Sequence, residues 1–286
     1  MSGAGDGLLN ARPLLVLSHE LPLPAPTRIE LVAEAGRRGV SVATFGEQDR
    51  LRGVAGAVDA RDANAIAVCG HAGMQATVAA VAAGRGLPFA CIPSGPDDLL
   101  ARDINGGCKD PEPALTRFLT GEECDMDIAE VNGIAFVNYV ALGLCVGPLA
   151  PAAGELANAP FEGRAQVRRT RASGVRRLAR DDDRRLTPAL LICNNCFDMQ
   201  GLLLGCRRQI DAGVLGIVIS EPGAGECLER CHMSWRHSAS SCLELAADGP
   251  VLADVDGCQR LLHPPLRFRI MPGALRVRGS MRMRTP

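Results

Sequence analysis

Through the N-terminal half, short aliphatic runs alternate with stretches whose apolar residues recur at helical spacing. The pattern predicts a strand over 14–17, a helix over 28–38, a strand over 40–45, a helix over 48–60 and a strand over 65–69. A helix over 75–83 and a strand over 89–93 follow, the latter opening into a loop at Ser94 and Gly95. Such alternation specifies right-handed βαβ units, and therefore a doubly wound parallel sheet whose ligands gather beyond the carboxyl ends of the strands. Near Asp125 the pattern changes. Strand-like runs at 126–131, 134–144, 189–193, 214–220, 243–246 and 266–270 are separated by Gly, Pro, Asn and Asp with no helical stretch between most of them. This predicts a mostly antiparallel β-sandwich, with Asn132-Gly133 and Asp248-Gly249 as hairpin turns because these residue types accept positive φ. The expected division is an α/β domain over 11–124 and a β-sandwich domain over 125–280.

Composition narrows the function classes. A net charge of -1 gives no global electrostatic partner, and an aromatic content of 3% leaves no base-stacking platform, so nucleic acid is not an expected partner. The N-terminal segment lacks a basic region and a long apolar run, so neither a secretory signal nor a membrane span is expected, and the predicted location is the cytoplasm. The 12 cysteines are scattered through apolar segments, which suits reduced core thiols better than a disulfide framework. One dense charge block stands out: nine arginines and three aspartates between Arg164 and Arg185. It reads either as a helical excursion with Arg-Asp pairing around Asp181 to Asp183, or as a flexible insert that touches an anionic membrane surface peripherally.

Several phrases carry a resemblance: Ile66-Ala-Val-Cys-Gly-His-Ala-Gly-Met74, Phe89-Ala-Cys-Ile-Pro-Ser-Gly95, Ala101-Arg-Asp103, Ile128-Ala-Glu-Val-Asn-Gly133 and Val255-Asp-Gly257. Their order resembles the bacterial diacylglycerol kinase catalytic family over nearly the whole chain. The resemblance implies ATP and Mg as cofactors, a lipid hydroxyl as acceptor, and a nucleotide-binding set at Gly70, His71, Gly73, Gly95 and Asp98. It also implies Asp256 as the general base.

The chemistry-bearing positions depart from the family pattern. Its Gly-Gly-Asp-Gly-Thr/Ser loop, in which glycines let amides approach phosphate, is here Gly70-His71-Ala72-Gly73-Met74. The carboxylate that would organise magnesium is an alanine, and the hydroxyl residue is a methionine. The Gly-Thr-x-Asn signature falls on Gly95-Pro96-Asp97-Asp98, the early Asn-Pro phrase on His19-Glu20, and Asp-Gly-Glu on Asp256-Gly257-Cys258, while Asn194-Asn195 keeps an Asn pair after a strand. Substitute magnesium ligands would have to come from Asp97, Asp98 or Asp103.

Each sharp reading has a plainer partner. Gly70 and Gly73 serve either a phosphate cradle or the tight βα turn that any doubly wound domain needs. Asp256 is a base or an ordinary hairpin aspartate. His71 is a substitute catalytic group, a metal ligand, or a plain loop histidine. Cys193-x-x-Cys196, Cys227-x-x-x-Cys231-His232 and His237 imitate zinc-ligand spacing, yet Cys193 lies within an apolar strand and no second well-spaced pair accompanies it. Trp235 reads as packing. Replacement of hydroxyl, amide and carboxylate positions, with apolar and turn positions kept, favours a retained fold over retained phosphoryl transfer. Three readings stay open: an unusual lipid kinase, a lipid- or nucleotide-binding pseudokinase, and an interaction protein.

Overall fold

The computed structural model describes residues 12–21, 23–46, 50–95, 98–142, 168–169, 175–178, 190–200, 203–222, 233–247 and 249–280. Its contacts divide the chain into two compact units, residues 1–126 with 273–286, and residues 127–272.

The first unit runs β1 (Leu14–Ser18), α1 (Ala25–Arg37), β2 (Ser41–Phe45), α2 (Arg50–Ala60), β3 (Ile66–Cys69), α3 (Ala72–Arg85), β4 (Phe89–Cys91), α4 (Leu99–Ile104) and α5 (Pro111–Thr120), then enters β5 (Glu123–Val131). β1 is central, parallel to β2 on one side and β3 on the other, with β4 parallel to β3. The run of four buried aliphatics in β1 has a simple cause. Leu15 and Leu17 join the core that Leu31 and Ala35 of α1 and Phe118 of α5 share, while Leu14 and Val16 are fully buried on the opposite face. Proline at the first turn starts both α1 and α5 without losing a needed amide. The sequence pattern anticipates the three βα units but not α4 and α5. These are short, and α4 begins only because Asp98 caps it.

The second unit continues with β6 (Ile134–Phe136), β7 (Tyr139–Leu142), β8 (Arg168–Arg169), β9 (Val175–Leu178), β10 (Leu190–Asn194), β11 (Phe197–Gln200) and β12 (Leu203–Arg207). It closes with β13 (Leu215–Pro222), β14 (Met233–Ser240), β15 (Cys242–Ala247), β16 (Val251–Val255), β17 (Cys258–Leu262) and β18 (Leu266–Arg278). An antiparallel sheet in the order β14-β13-β10-β7-β16-β17 faces a layer that includes β5, β6, β15 and the first half of β18. Between them lies an aliphatic core, with Phe136 and Phe268 in an edge-to-face pair at 6.5 Å. The second half of β18 belongs to the first unit, where Val277 pairs with Phe89 of β4 in parallel.

Three expectations change here. The strand expected over 134–144 breaks at Val137 and Asn138, because the backbone amides there turn toward a buried carboxylate. Asp248 lies outside the described residues, but the strands on either side of the expected Asp248-Gly249 turn take other partners: β15 pairs with β18 and β9, and β16 with β7 and β17. In the arginine block, Arg168–Arg169 and Val175–Leu178 are strands rather than helix, paired antiparallel, with β9 parallel to β15. The rest of that block, including Asp181 to Asp183, lies outside the described residues.

Candidate functional site

At the carboxyl end of β3 the chain turns at Gly70. A Cβ added there would lie 2.9 Å from the Cβ of Ser18, the buried last residue of β1. Real side chains do not approach so closely, so this position takes glycine for packing, irrespective of any ligand. His71 is the N-cap residue of α3, half-buried, with no capping bond from its side chain. Gly73 lies buried in the first turn, where its carbonyl accepts from Thr77 Oγ1 at 3.0 Å. Met74 is fully buried, and its Cβ and Cγ fill the space beside Gly70.

The second loop is tied to the first by Asp98. Its Oδ1 accepts from the Ala101 amide at 3.0 Å, capping α4, and from Gln75 Nε2 at 2.8 Å. Its Oδ2 accepts from the Ser94 hydroxyl at 3.0 Å and the Ser94 amide at 3.2 Å. Gln75 Nε2 and Ser94 Oγ also donate to the Gly70 carbonyl, at 2.8 and 3.2 Å. Burial pushes the Asp98 carboxyl above its ordinary range, opposed by the hydrogen bonds from Ala101, Gln75 and Ser94. Gly95, half-buried, accepts from the Asp98 amide at 3.4 Å. The structure therefore brings Gly70, His71, Gly73, Gly95 and Asp98 to one end of the parallel sheet. Pro96 and Asp97 lie outside the described residues. Asp103, on α4, pairs with its neighbour Arg102 at 3.7 Å, and His19 and Glu20 are exposed just beyond β1.

This donor set does not suit magnesium-ATP. Where oxygen ligands would be wanted there are a methyl group at Ala72 and a buried thioether at Met74, and hard divalent cations take neither. Of the described candidate carboxylates, Asp98 spends both oxygens on protein donors and Asp103 pairs with Arg102. Among the described residues no group of three or more His, Cys, Asp and Glu side chains could hold a metal.

Asp256 lies in the second unit, at the two-residue turn between β16 and β17, with φ of 49° followed by 79° at Gly257. Both residues are left-handed, as a tight hairpin between right-twisted strands requires, and the Gly257 amide is held by Asp254 Oδ1 at 2.6 Å. The Asp256 carboxylate enters the protein instead of solvent and is 1% exposed. Three successive amides donate to it: Val137 to Oδ2 at 2.7 Å, and Asn138 and Tyr139 to Oδ1 at 2.9 Å each. Burial drives its pKa up to about 7 against the pull of those amides and of Arg207. Arg207 is itself buried. Its Nη2 donates to the Val137 carbonyl at 2.8 Å and to Asn138 Oδ1 at 3.2 Å, and its guanidinium lies 4.6 Å from the ring centroid of Phe197. Asn194 Nδ2 joins the same carbonyl at 3.2 Å. Asp256 is thus both the hairpin aspartate and the anchor of the 137–139 segment.

Sequence reasoning misses Gln75, Ser94, Asn138 and Arg207. Gln75 sits in an otherwise apolar helix start, and that isolated polar position is the one visible signal. Arg207 ends an unremarked strand. Of the zinc-like pattern, Cys193 is buried in β10, where burial pushes its thiol up, and Cys196 is half-buried beyond it; Cys227, Cys231 and His232 lie outside the described residues.

A sequence profile of the diacylglycerol kinase catalytic domain matches residues 27–131. A diacylglycerol kinase from Bacillus anthracis str. Sterne superposes with a TM-score of 0.66 at 16% identity, covering 94% of this chain and 97% of that chain. Two further structures from the same organism give 0.68 and 0.64 at 15% identity with the same coverage. At such identity the likeness is one of fold. No curated protein matches the sequence. The N-terminal expectation drawn from the Gly70 and Gly95 phrases and the profile agree: residues 27–131 are similar to the diacylglycerol kinase catalytic domain, and the chain has the fold of the bacterial diacylglycerol kinases.

Proposed function

We propose that this chain is a diacylglycerol-kinase-like binding protein that takes a lipid or nucleotide without magnesium-dependent phosphoryl transfer. The observation that carries the reading is the Asp98 network. A carboxylate at the phosphate end of the sheet is locked to Gln75, Ser94 and Ala101, and Met74 fills the space beside Gly70. Phosphoryl transfer consists largely of positioning and charge neutralisation, so loss of the oxygen ligands and phosphate donors costs several orders of magnitude in rate. Asp256, the residue the family resemblance offers as base, has both oxygens occupied by backbone amides. The expected location is the cytoplasm, with peripheral contact at an anionic membrane through the stretch from Arg164 to Arg185.

Calorimetric titration with magnesium-ATP, on the wild type and on His71→Gly, tests the first half. Any heat of nucleotide binding by the wild type is expected to be the same with and without magnesium, and tight magnesium-dependent binding overturns the reading. Incubation with labelled ATP and diacylglycerol in mixed micelles tests the second. No labelled lipid above the enzyme-free blank is expected, and turnover restores the kinase reading.

A further inference from the structure

On the outer face of the second unit, away from the residues discussed above, β18 presents Arg267 and Arg269. They flank buried Phe268 in strict alternation, so both side chains stand on one face about 7 Å apart along the strand. They line a concavity of about 480 Å³ together with Glu130, Asn132, His263 and the Pro264-Pro265 pair. Both guanidinium groups are exposed, at 71% and 64%, yet neither is loose. Glu244, directly opposite Arg267 across the β15–β18 ladder, holds its Nε at 3.1 Å, and Glu130 holds the Nε of Arg269 at 2.6 Å. Among the described residues no protein acceptor meets the Nη atoms of either arginine. Each acid therefore braces the stem side of a fork and leaves its outer edge for another acceptor.

The wall behind them is built with equal care. Asn132, at the β5–β6 turn with φ of 49°, donates its amide to the Arg267 carbonyl at 3.0 Å and accepts the Arg267 amide on Oδ1 at 2.8 Å. Its Nδ2 donates to the His263 carbonyl at 2.9 Å, which fixes the backbone that carries the imidazole and the two prolines.

We propose that this concavity binds a phosphomonoester. Two braced guanidinium forks match the three terminal oxygens of a doubly charged phosphate, whereas a carboxylate, with two oxygens, can offer each fork only one. The two guanidinium charges are matched by Glu130 and Glu244, so selection for a phosphate rests on the direction of the outer Nη donors rather than on net charge. The volume exceeds that of a bare phosphate, and the Pro264-Pro265 surface offers an apolar bed for the esterified group. The same chemistry arises from a soluble phosphomonoester and from the headgroup of phosphatidic acid.

The test uses the full chain, with glycerol phosphate followed by calorimetry and flotation with phosphatidylcholine vesicles doped with either phosphatidic acid or phosphatidylserine. Saturable glycerol phosphate binding, weakened about tenfold or more in Arg267→Gln/Arg269→Gln, supports the site with a soluble source. Flotation with phosphatidic acid but not phosphatidylserine, displaced by glycerol phosphate, supports it with a lipid source. Absence of binding to either probe, equal flotation with both lipids, or affinity unchanged in the double variant overturns it. Should the Gln pair unfold the unit, Arg267→Lys/Arg269→Lys keeps charge and length. Several-fold weaker binding is then expected from loss of the fork, and unchanged affinity overturns the proposal.

Discussion

Gln75 Nε2 lies 2.8 Å from Asp98 Oδ1 and 2.8 Å from the Gly70 carbonyl, so one amide group joins the two loops that close the parallel sheet. In a phosphate-binding loop those groups would be turned toward a ligand. Here they are turned toward each other.

Asp98→Ala removes the cap of α4 and the acceptor of the Ser94 amide, and leaves the Gly70 carbonyl as the remaining acceptor of Ser94 Oγ and Gln75 Nε2. A loss of about 2–3 kcal/mol in urea-unfolding stability is expected, combining a cap with a buried hydrogen-bond partner. Asp98→Asn keeps one acceptor oxygen but sets an NH₂ against the donors of Ser94 or Gln75, so it should recover only part of that loss.

Gly70→Ala is expected to destabilise by about 1–3 kcal/mol, the range for overpacking, because of the 2.9 Å approach to Ser18. Ser18→Gly removes the opposing Cβ. If the contact with Ser18 is what fixes glycine here, the double variant recovers most of the loss in a mutant cycle; additive effects would mean that it is not.

The framework was legible in the sequence because it rests on local signals. Buried strands such as 14–17 and 65–69 are continuous aliphatic runs, and Asn132-Gly133 makes the hairpin that its residue types permit. The sites were less legible because their partners are distant in the chain. Nothing near Asp256 signals that its carboxylate meets amides at 137–139, and nothing near Asp98 signals Gln75. The aspartate at Asp98 reads as misplaced charge in a phosphate loop, yet it is a helix cap that locks that loop. The missed helices α4 and α5 have the same origin, since a six-residue helix such as α4 lacks enough turns to show a period.

The pH dependence of the second unit should carry the mark of Asp256. Its folded pKa of about 7 lies above the usual aspartate value, so the native state binds a proton that the unfolded state releases first. The linked stability is fully present below about pH 4 and is lost as pH rises toward and through 7, amounting to about 4 kcal/mol. Urea unfolding from pH 4 to pH 8 should show this slope in the wild type relative to Asp256→Asn, in which the titrating group is absent. Parallel profiles would mean that the three amides hold the carboxylate ionised throughout.

Arg207→Met removes the donor to the Val137 carbonyl and Asn138 Oδ1 and the charge beside Asp256. Breaking a buried charged network of this kind is expected to cost about 3–5 kcal/mol in chemical denaturation. Because Arg207 pulls the Asp256 pKa down, the midpoint of the pH profile should also move upward.

The return of β18 to the first unit has a consequence for how the protein is made. Val277 supplies the outer partner of β4, yet a ribosome releases it only after the whole stretch 127–272 has emerged. Until then that edge of β4 is an uncovered strand of apolar residues, open to pairing with any other chain nearby. The first unit reaches its native contacts last although its sequence comes first, and truncation after Pro272 should yield a product that aggregates during synthesis rather than a smaller folded domain.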